Sequence, residues 1–401
     1  MNVVALLPFL LTSLYQKPTP LAEIPFRVGE AAIIVDAEIN GHKMSLLFDT
    51  GFAGYADVDT SIDIGKVDGE AGIIDFVRAS TVGTVTLKSM KIGGFPIKLD
   101  PDAYAYSHGV GDLTFTNGVH ADGLLGLAPF LDYVTEINFE KRKIYLYPST
   151  YDISHIRGDG KRLFTTRMLP EGLRSIQLEA RVGSKPDDRL VLALDTGNAF
   201  FLATHKDSLQ RIGVWGDAEG KYTRSNQIAS GSVKTFFVRV TDSTIFGVPV
   251  KDSVWDVMDL PSSNAIDDGT VGYEFLKNFN ITFDFLRRRV IFDNFNGQTG
   301  NEMRGDVGMT AVWSSLDKEV VIVAVSPDSP AAKAGIQKGD HLLSIDDTDF
   351  TGAIGFIRLR NILQGPVGSK VNLATSRNGN YRRCTVTREF LVNNLLSPSG
   401  G

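Results

Sequence analysis

Ser45-Leu46-Leu47-Phe48-Asp49-Thr50-Gly51 and Val191-Leu192-Ala193-Leu194-Asp195-Thr196-Gly197 are two apolar runs that end in the same triplet. Each is followed by a second marker, Asp122-Gly123-Leu124-Leu125-Gly126 after the first and Asp268-Gly269-Thr270-Val271-Gly272 after the second. Asp49 to Gly126 is 77 residues (126 − 49), and Asp195 to Gly272 is 77 (272 − 195). One Asp-Thr-Gly alone is an ordinary turn sequence, because glycine supplies positive φ. Two, each after an apolar strand and each with the same downstream marker, point to a duplicated unit.

The duplication runs further. Alternating strands precede both triplets, Ile33–Ile39 and Ile176–Val182. Ile92-Gly93-Gly94-Phe95-Pro96 is matched by Ile245-Phe246-Gly247-Val248-Pro249. Asn138–Leu146 is matched by Thr282–Phe292, with Lys141-Arg142-Lys143 and Arg287-Arg288-Arg289 reading as solvated turns. Two copies near 146 residues apart are a duplication and not a solenoid array. Residues 26–293 consist of short runs rich in Val, Ile, Phe and Thr, broken by Gly, Asn and Asp, which is an all-β pattern. Leu276–Asn280 reads as a short helix.

On these residues the chain resembles the aspartic proteases, most closely bacterial single-chain relatives of the retroviral-type family. The resemblance rests on the two triplets and on Leu124-Leu125-Gly126 and Thr270-Val271-Gly272, with Thr270 polar where the pattern prefers an apolar residue. It implies a mainly β, bilobal acid-protease fold of two duplicated lobes. It also implies an aspartic endopeptidase whose catalytic residues are Asp49 and Asp195. A water held between them would attack a peptide carbonyl, since two close carboxylates share a proton. Thr50, Gly51, Thr196 and Gly197 would support the site. The residue after each triplet departs from the digestive type, being Phe52 in one copy and Asn198 in the other. The alternative is a peptide-binding sensor, weak or inactive in catalysis, that retains the cleft. Catalysis is expected in a single chain, acting on polypeptide substrates. Gly65–Thr81 and Gly216–Gly231 are the candidate covering segments.

A third unit follows the polar stretch Asn294–Glu302. Ser329-Pro330-Ala331-Ala332-Lys333-Ala334-Gly335 carries an N-cap, a proline at the first helical position and a C-terminal glycine. Ala353–Leu363 reads as an amphipathic helix, and Asn378-Gly379 as the turn of a hairpin. This order is similar to a small α+β PDZ domain of the bacterial protease-associated kind. That resemblance implies capture of peptide C-termini at Val307, Gly308 and Met309. The expected divisions are 1–21 signal sequence or tail, 22–152 first lobe, 153–293 second lobe, 294–303 linker, 304–392 PDZ domain and 393–401 flexible tail.

Composition excludes several classes. A net charge of −6 leaves no basic footprint for nucleic acid. The lone Cys384 excludes an internal disulfide and reads as a small core residue. The six histidines show no paired metal spacing, and Gly-x-Gly-x-x-Gly and a phosphate loop are absent, so no metal or cofactor is expected; Gly-x-Ser-x-Gly, the serine-nucleophile motif, is absent too. Val3–Tyr15 has the length of a signal-peptide core and is too short to span a bilayer, so a periplasmic or secreted location is expected, or a cytoplasmic one if the stretch is not a signal.

Overall fold

The structure is a computed structural model and describes residues 17–74, 79–110, 118–170, 175–183, 189–215, 220–228, 231–262 and 267–394. The expected signal segment and residues 395–401 of the expected tail lie outside these. The chain is mainly β, with a PDZ domain at its C-terminal end.

In the first copy, strands Ile33–Ile39 and His42–Phe48 form an antiparallel hairpin in which Ile34 faces Leu47. Its turn residues Asn40 and Gly41 both have positive φ, +49° and +90°, the geometry that matches strand twist in a two-residue loop. The marker strand Gly123–Leu125 lies parallel to His42–Phe48 and antiparallel to Ala56–Val58. Asp49 therefore sits where three short strands meet. The second copy repeats the arrangement: Gly269–Val271 is parallel to Arg189–Leu194 and antiparallel to Leu202–His205. The leading Asp of each marker has a visible task. Asp122 Oδ2 accepts the Ser45 N–H at 2.8 Å and Asp268 Oδ2 accepts the Val191 N–H at 2.9 Å, both over 77 residues.

Both copies also carry a hairpin at the far end of the strand path. Gly69–Ile74 pairs with Ala79–Thr86 in the first, and Arg224–Ile228 with Gly231–Ile245 in the second. Each hairpin is reached through a strand that runs parallel to the one leaving the Asp loop, Tyr104–Ser107 on Ala56–Val58 and Val248–Met258 on Leu202–His205. The two hairpins are thus topological counterparts. They begin within the segments expected to cover a cleft and run past them, to Thr86 and Ile245, while the tip 75–78 and residues 216–219 and 229–230 are not among those described.

The copies are joined by a shared sheet. Tyr133–Asn138 pairs antiparallel with Phe279–Asp284, Ile137 facing Ile281, and each is flanked by its own hairpin partner. Arg142 and Arg288 occupy the left-handed turn positions of those hairpins, φ +54° and +52°. The core runs continuously through both copies, with Phe48, Phe130, Leu194, Phe275, Phe279 and Phe292 fully buried.

The PDZ domain has its own core, including Val307, Ile322, Leu342, Leu359 and Val371. Ser329 Oγ accepts the Ala332 N–H at 3.2 Å, and Gly335 has φ +78°, so both ends of the helix Pro330–Lys333 close locally. Cys384 is partly buried against this core. Met309–Ser314 is the edge strand of its sheet, and the helix Phe356–Leu363 packs against it.

Several expectations are corrected. The amphipathic helix starts at Phe356 and not Ala353, because Gly355 is extended (ψ 147°). The short helix after the second marker is Tyr273–Leu276, and Phe279 already belongs to the next strand. Asn393–Asn394 is not tail: it pairs in parallel with Val238–Arg239. The Asn393 side chain there bonds the Tyr222 N–H and the carbonyls of Tyr222 and Phe237, at 3.0–3.1 Å. Within the linker, the Asn301 amide pairs with both backbone groups of Val254 at 2.9 Å, so the connection is docked on the second lobe.

Candidate functional site

The two Asp loops face each other across the joint between the copies. Asp49 N–H donates to Leu125 O (2.9 Å) and Asp195 N–H to Val271 O (3.0 Å), so the marker strands fix each loop from behind. The threonines cross over. Thr50 Oγ1 donates to Leu194 O at 2.8 Å and accepts the Thr196 N–H at 3.0 Å. Thr196 Oγ1 donates to Phe48 O at 2.6 Å and accepts the Thr50 N–H at 3.1 Å. Both threonines are essentially inaccessible to solvent.

The glycines make room for the opposite carboxylate. A Cβ on Gly51 would lie 2.7 Å from Asp195 Cγ, and one on Gly197 would lie 2.5 Å from Asp49 Cγ. Each glycine also donates its N–H to the Asp of its own loop, at 2.8 and 2.9 Å. Gly197→Ala should therefore drive the carboxyls apart. Its expected signature is a fall in the pair's raised pKa values towards the usual carboxylate range, read by NMR titration of labelled aspartates.

Asp49 and Asp195 lie close enough that each shifts the titration of the other. Burial raises both, and the charge of Asp195 raises Asp49 well above the usual carboxylate range. The surroundings are unequal. Asp195 Oδ1 accepts from Gly197 and from the Asn198 N–H at 3.0 Å, and the nearby Thr270 hydroxyl also favours its anion. Thr270 Oγ1 in turn accepts from Asn198 Nδ2 at 2.7 Å. These donors favour the anion on Asp195 and leave Asp49 the proton. Such a pair is a built acid–base couple, one member able to take a proton and one to give it. Thr270 and Asn198 stand out in the sequence only as departures from a pattern. Their contact spans 72 residues, so no local signal links them.

Phe52, the other departure, packs on Tyr106 in a tilted arrangement with ring centroids 5.5 Å apart. The Tyr106 hydroxyl reaches Gly72 O in the first-copy hairpin at 3.5 Å. Among the described residues no cluster of His, Cys, Asp and Glu could hold a metal ion. None of their helices is long and apolar enough to cross a membrane.

The peptide-end residues Val307, Gly308 and Met309 are all placed in the PDZ domain, away from the carboxylate pair. Val307 and Met309 are buried, and Gly308 has φ +81°. The Gly308 N–H already donates to Asp306 Oδ1 at 2.7 Å.

Residues 321–377 match the family model of a PDZ domain. The serine endoprotease DegS of Haemophilus influenzae is 32% identical over 30% of this chain and 34% of its own length. The chloroplastic carboxyl-terminal-processing peptidase 2 of Arabidopsis thaliana is 39% identical over 18% of this chain and 13% of its own. A solved aspartic proteinase from Irpex lacteus aligns with 69% of this chain and 98% of its own at 14% identity, but its TM-score of 0.39 is too low to carry an argument. The chain spans about a third of DegS and about an eighth of the processing peptidase, so their activities remain theirs. The aspartic-type, retroviral-family assignment drawn from the triplets is corrected on this finding, because the proteases named among these curated relatives are a serine endoprotease and a carboxyl-terminal-processing peptidase. The C-terminal domain of this mainly β chain is a PDZ domain.

Proposed function

We propose that this chain is a polypeptide-binding protein of the protease-plus-PDZ kind. The PDZ domain is its peptide-holding module, and the Asp49–Asp195 pair is the reactive group that the two-lobed body presents. The carrying observation for the first half is the PDZ match over residues 321–377 on a domain with an edge strand and a flanking helix. For the second half it is the facing pair of partly buried carboxyls, each held by a glycine N–H of its own loop and packed against the glycine of the other. Perturbed, paired titratable groups cluster at functional sites. The apolar stretch Val3–Tyr15 supports a periplasmic or secreted location.

Serine chemistry of the kind named for DegS needs a hydroxyl against an imidazole that a carboxylate orients. Asp57 and His108 supply the second half of that set, with Nδ1 and Oδ1 2.8 Å apart.

The test is incubation of the full chain with a denatured protein mixture, comparing wild type, Asp49→Asn, Asp195→Asn and protein treated with a serine-directed phosphonate. The expected outcome is retention of unfolded polypeptide by all four proteins, with turnover that both Asn variants lose placing the reactive group at the carboxylate pair. Turnover that survives in the Asn variants and is abolished by the phosphonate would move the chemistry to a serine. A wild type that binds peptides without turnover would leave the binding function alone.

A further inference from the structure

A PDZ domain takes an extended peptide by adding it to an exposed strand edge. Here that edge is Met309–Ser314, and the facing wall is the helix Phe356–Leu363. The groove between them is already covered, and by the chain itself. The second-lobe segment Thr223–Asn226, at the start of the hairpin Arg224–Ile228/Gly231–Ile245, lies along it.

The contacts are those of a docked chain. The Thr223 N–H donates to Ser326 Oγ at 3.0 Å and the Ser225 N–H to Thr310 Oγ1 at 3.2 Å. Arg224 Nη1 donates to Met309 O at 3.4 Å, taking a main-chain acceptor of the edge strand itself. The same guanidinium pairs with Asp306 at 2.8 Å, both side chains less than a tenth exposed, and lies over the Phe237 ring. What remains of the groove is a cavity of about 20 Å³ lined by Arg224, Asn226, Met309, Ala311, Phe356 and Leu363. That is room for about one water.

The carboxylate end of the groove is filled as well. The Gly308 N–H, which would greet a peptide's terminal carboxylate, is bonded to the carboxylate of Asp306. Asp306 thus stands in for the ligand's charged end, and Arg224 from the second lobe caps it. Arg360, on the groove helix, ties the same wall to that lobe by stacking on Phe200 at 4.6 Å and pairing with Glu274. The first-copy counterpart hairpin, Gly69–Ile74/Ala79–Thr86, pairs along Ala79–Thr86 with Tyr104–Ser107 of its own lobe.

We propose that the peptide groove of the PDZ domain is held shut by the chain's own segment Thr223–Asn226. A peptide with a free C-terminal carboxylate opens it by displacing that segment, and in doing so releases the second-lobe hairpin. The inference rests on the reading of the PDZ domain as a peptide-binding module. It adds an internal competitor, and it couples peptide arrival to the element topologically equivalent to the first-lobe hairpin Gly69–Ile74/Ala79–Thr86.

The probe is a pool of short random peptides with apolar, free C-termini, with the amidated pool as control. Full-length wild type and Arg224→Ala are compared for retention of each pool, and hydrogen exchange is followed on wild type with the peptides it retains. The expected result is at least tenfold greater retention of the free-carboxylate pool by Arg224→Ala. On wild type at saturation, amides of 223–228 should exchange faster and those of 309–314 slower. Equal retention by both proteins, with 223–228 unchanged on binding, would overturn the closed groove while leaving peptide binding intact. Retention by neither protein, both folded by circular dichroism, would overturn the peptide-binding reading and this inference with it. Should Arg224→Ala fail to fold, the exchange measurement on wild type decides alone.

Discussion

The double variant Thr50→Ala/Thr196→Ala should lose roughly 4 kcal/mol of unfolding free energy. The two hydroxyls make four inter-loop hydrogen bonds, and both residues are buried. Removing them leaves two backbone N–H groups and two carbonyls without those partners, each worth about 1 kcal/mol or more when buried. No water can easily replace the hydroxyls where their surroundings are packed. The single variants should not add up to the double, because all four bonds belong to one network. Urea denaturation of the three variants measures both effects. A double variant within about 1 kcal/mol of wild type would mean that the Tyr133–Asn138/Phe279–Asp284 seam holds the lobes together unaided.

Wild type should lose stability as the pH rises from about 4 to 7, the reverse of ordinary acid denaturation. Burial lifts Asp256 from 3.8 to about 6, and lifts Asp267 to about 7 with the charges of Asp195 and Asp268 adding to it. A carboxyl with a folded pKa above its unfolded value binds more protons in the native state between those two values. Unfolding then releases protons, and the folded state weakens as the pH climbs through the window. For Asp256 the shift of about two units amounts to on the order of 3 kcal/mol. Asp256→Asn keeps the shape beside Asn226 and should flatten the profile by about that amount. Below pH 4 the opposite sign takes over, because Asp340, held low by Arg377, loses its pairing on protonation. Unfolding free energies at pH 4, 5.5 and 7.5 test the sign. A curve that rises with pH across that window would refute the assignment of buried neutral carboxyls.

The comparison of sequence with structure divides along the range of the interactions. Strand and turn positions are legible because their causes are local. Asn40-Gly41 and Asn378-Gly379 reach positive φ cheaply, and Ser329-Pro330 with Gly335 closes a helix at both ends. Helix starts are less legible: Gly355 extends the chain three residues past where apolar spacing would begin the turn. The activity class was not legible from the triplets, since the same short motif fits a resemblance that the named relatives do not support.

The sequence by itself determined that two copies exist. Matching apolar runs, turns and 77-residue spacings are properties of order along the chain, and the marker aspartates, each bonding a backbone 77 residues away, obey that order. Only the tertiary structure decided how the copies differ. Asn198 reaches Thr270, whose hydroxyl favours charge on Asp195, while the Phe52 side chain packs on Tyr106 and leaves Asp49 only backbone donors. Likewise one hairpin stays with its own lobe and the other is held in the PDZ groove by Arg224 and Asp306. These are pairings across 72 and 82 residues (306 − 224) between side chains that carry no mutual pattern. Their energies come from burial and exact partner geometry, which exist only once the strands have brought the groups together.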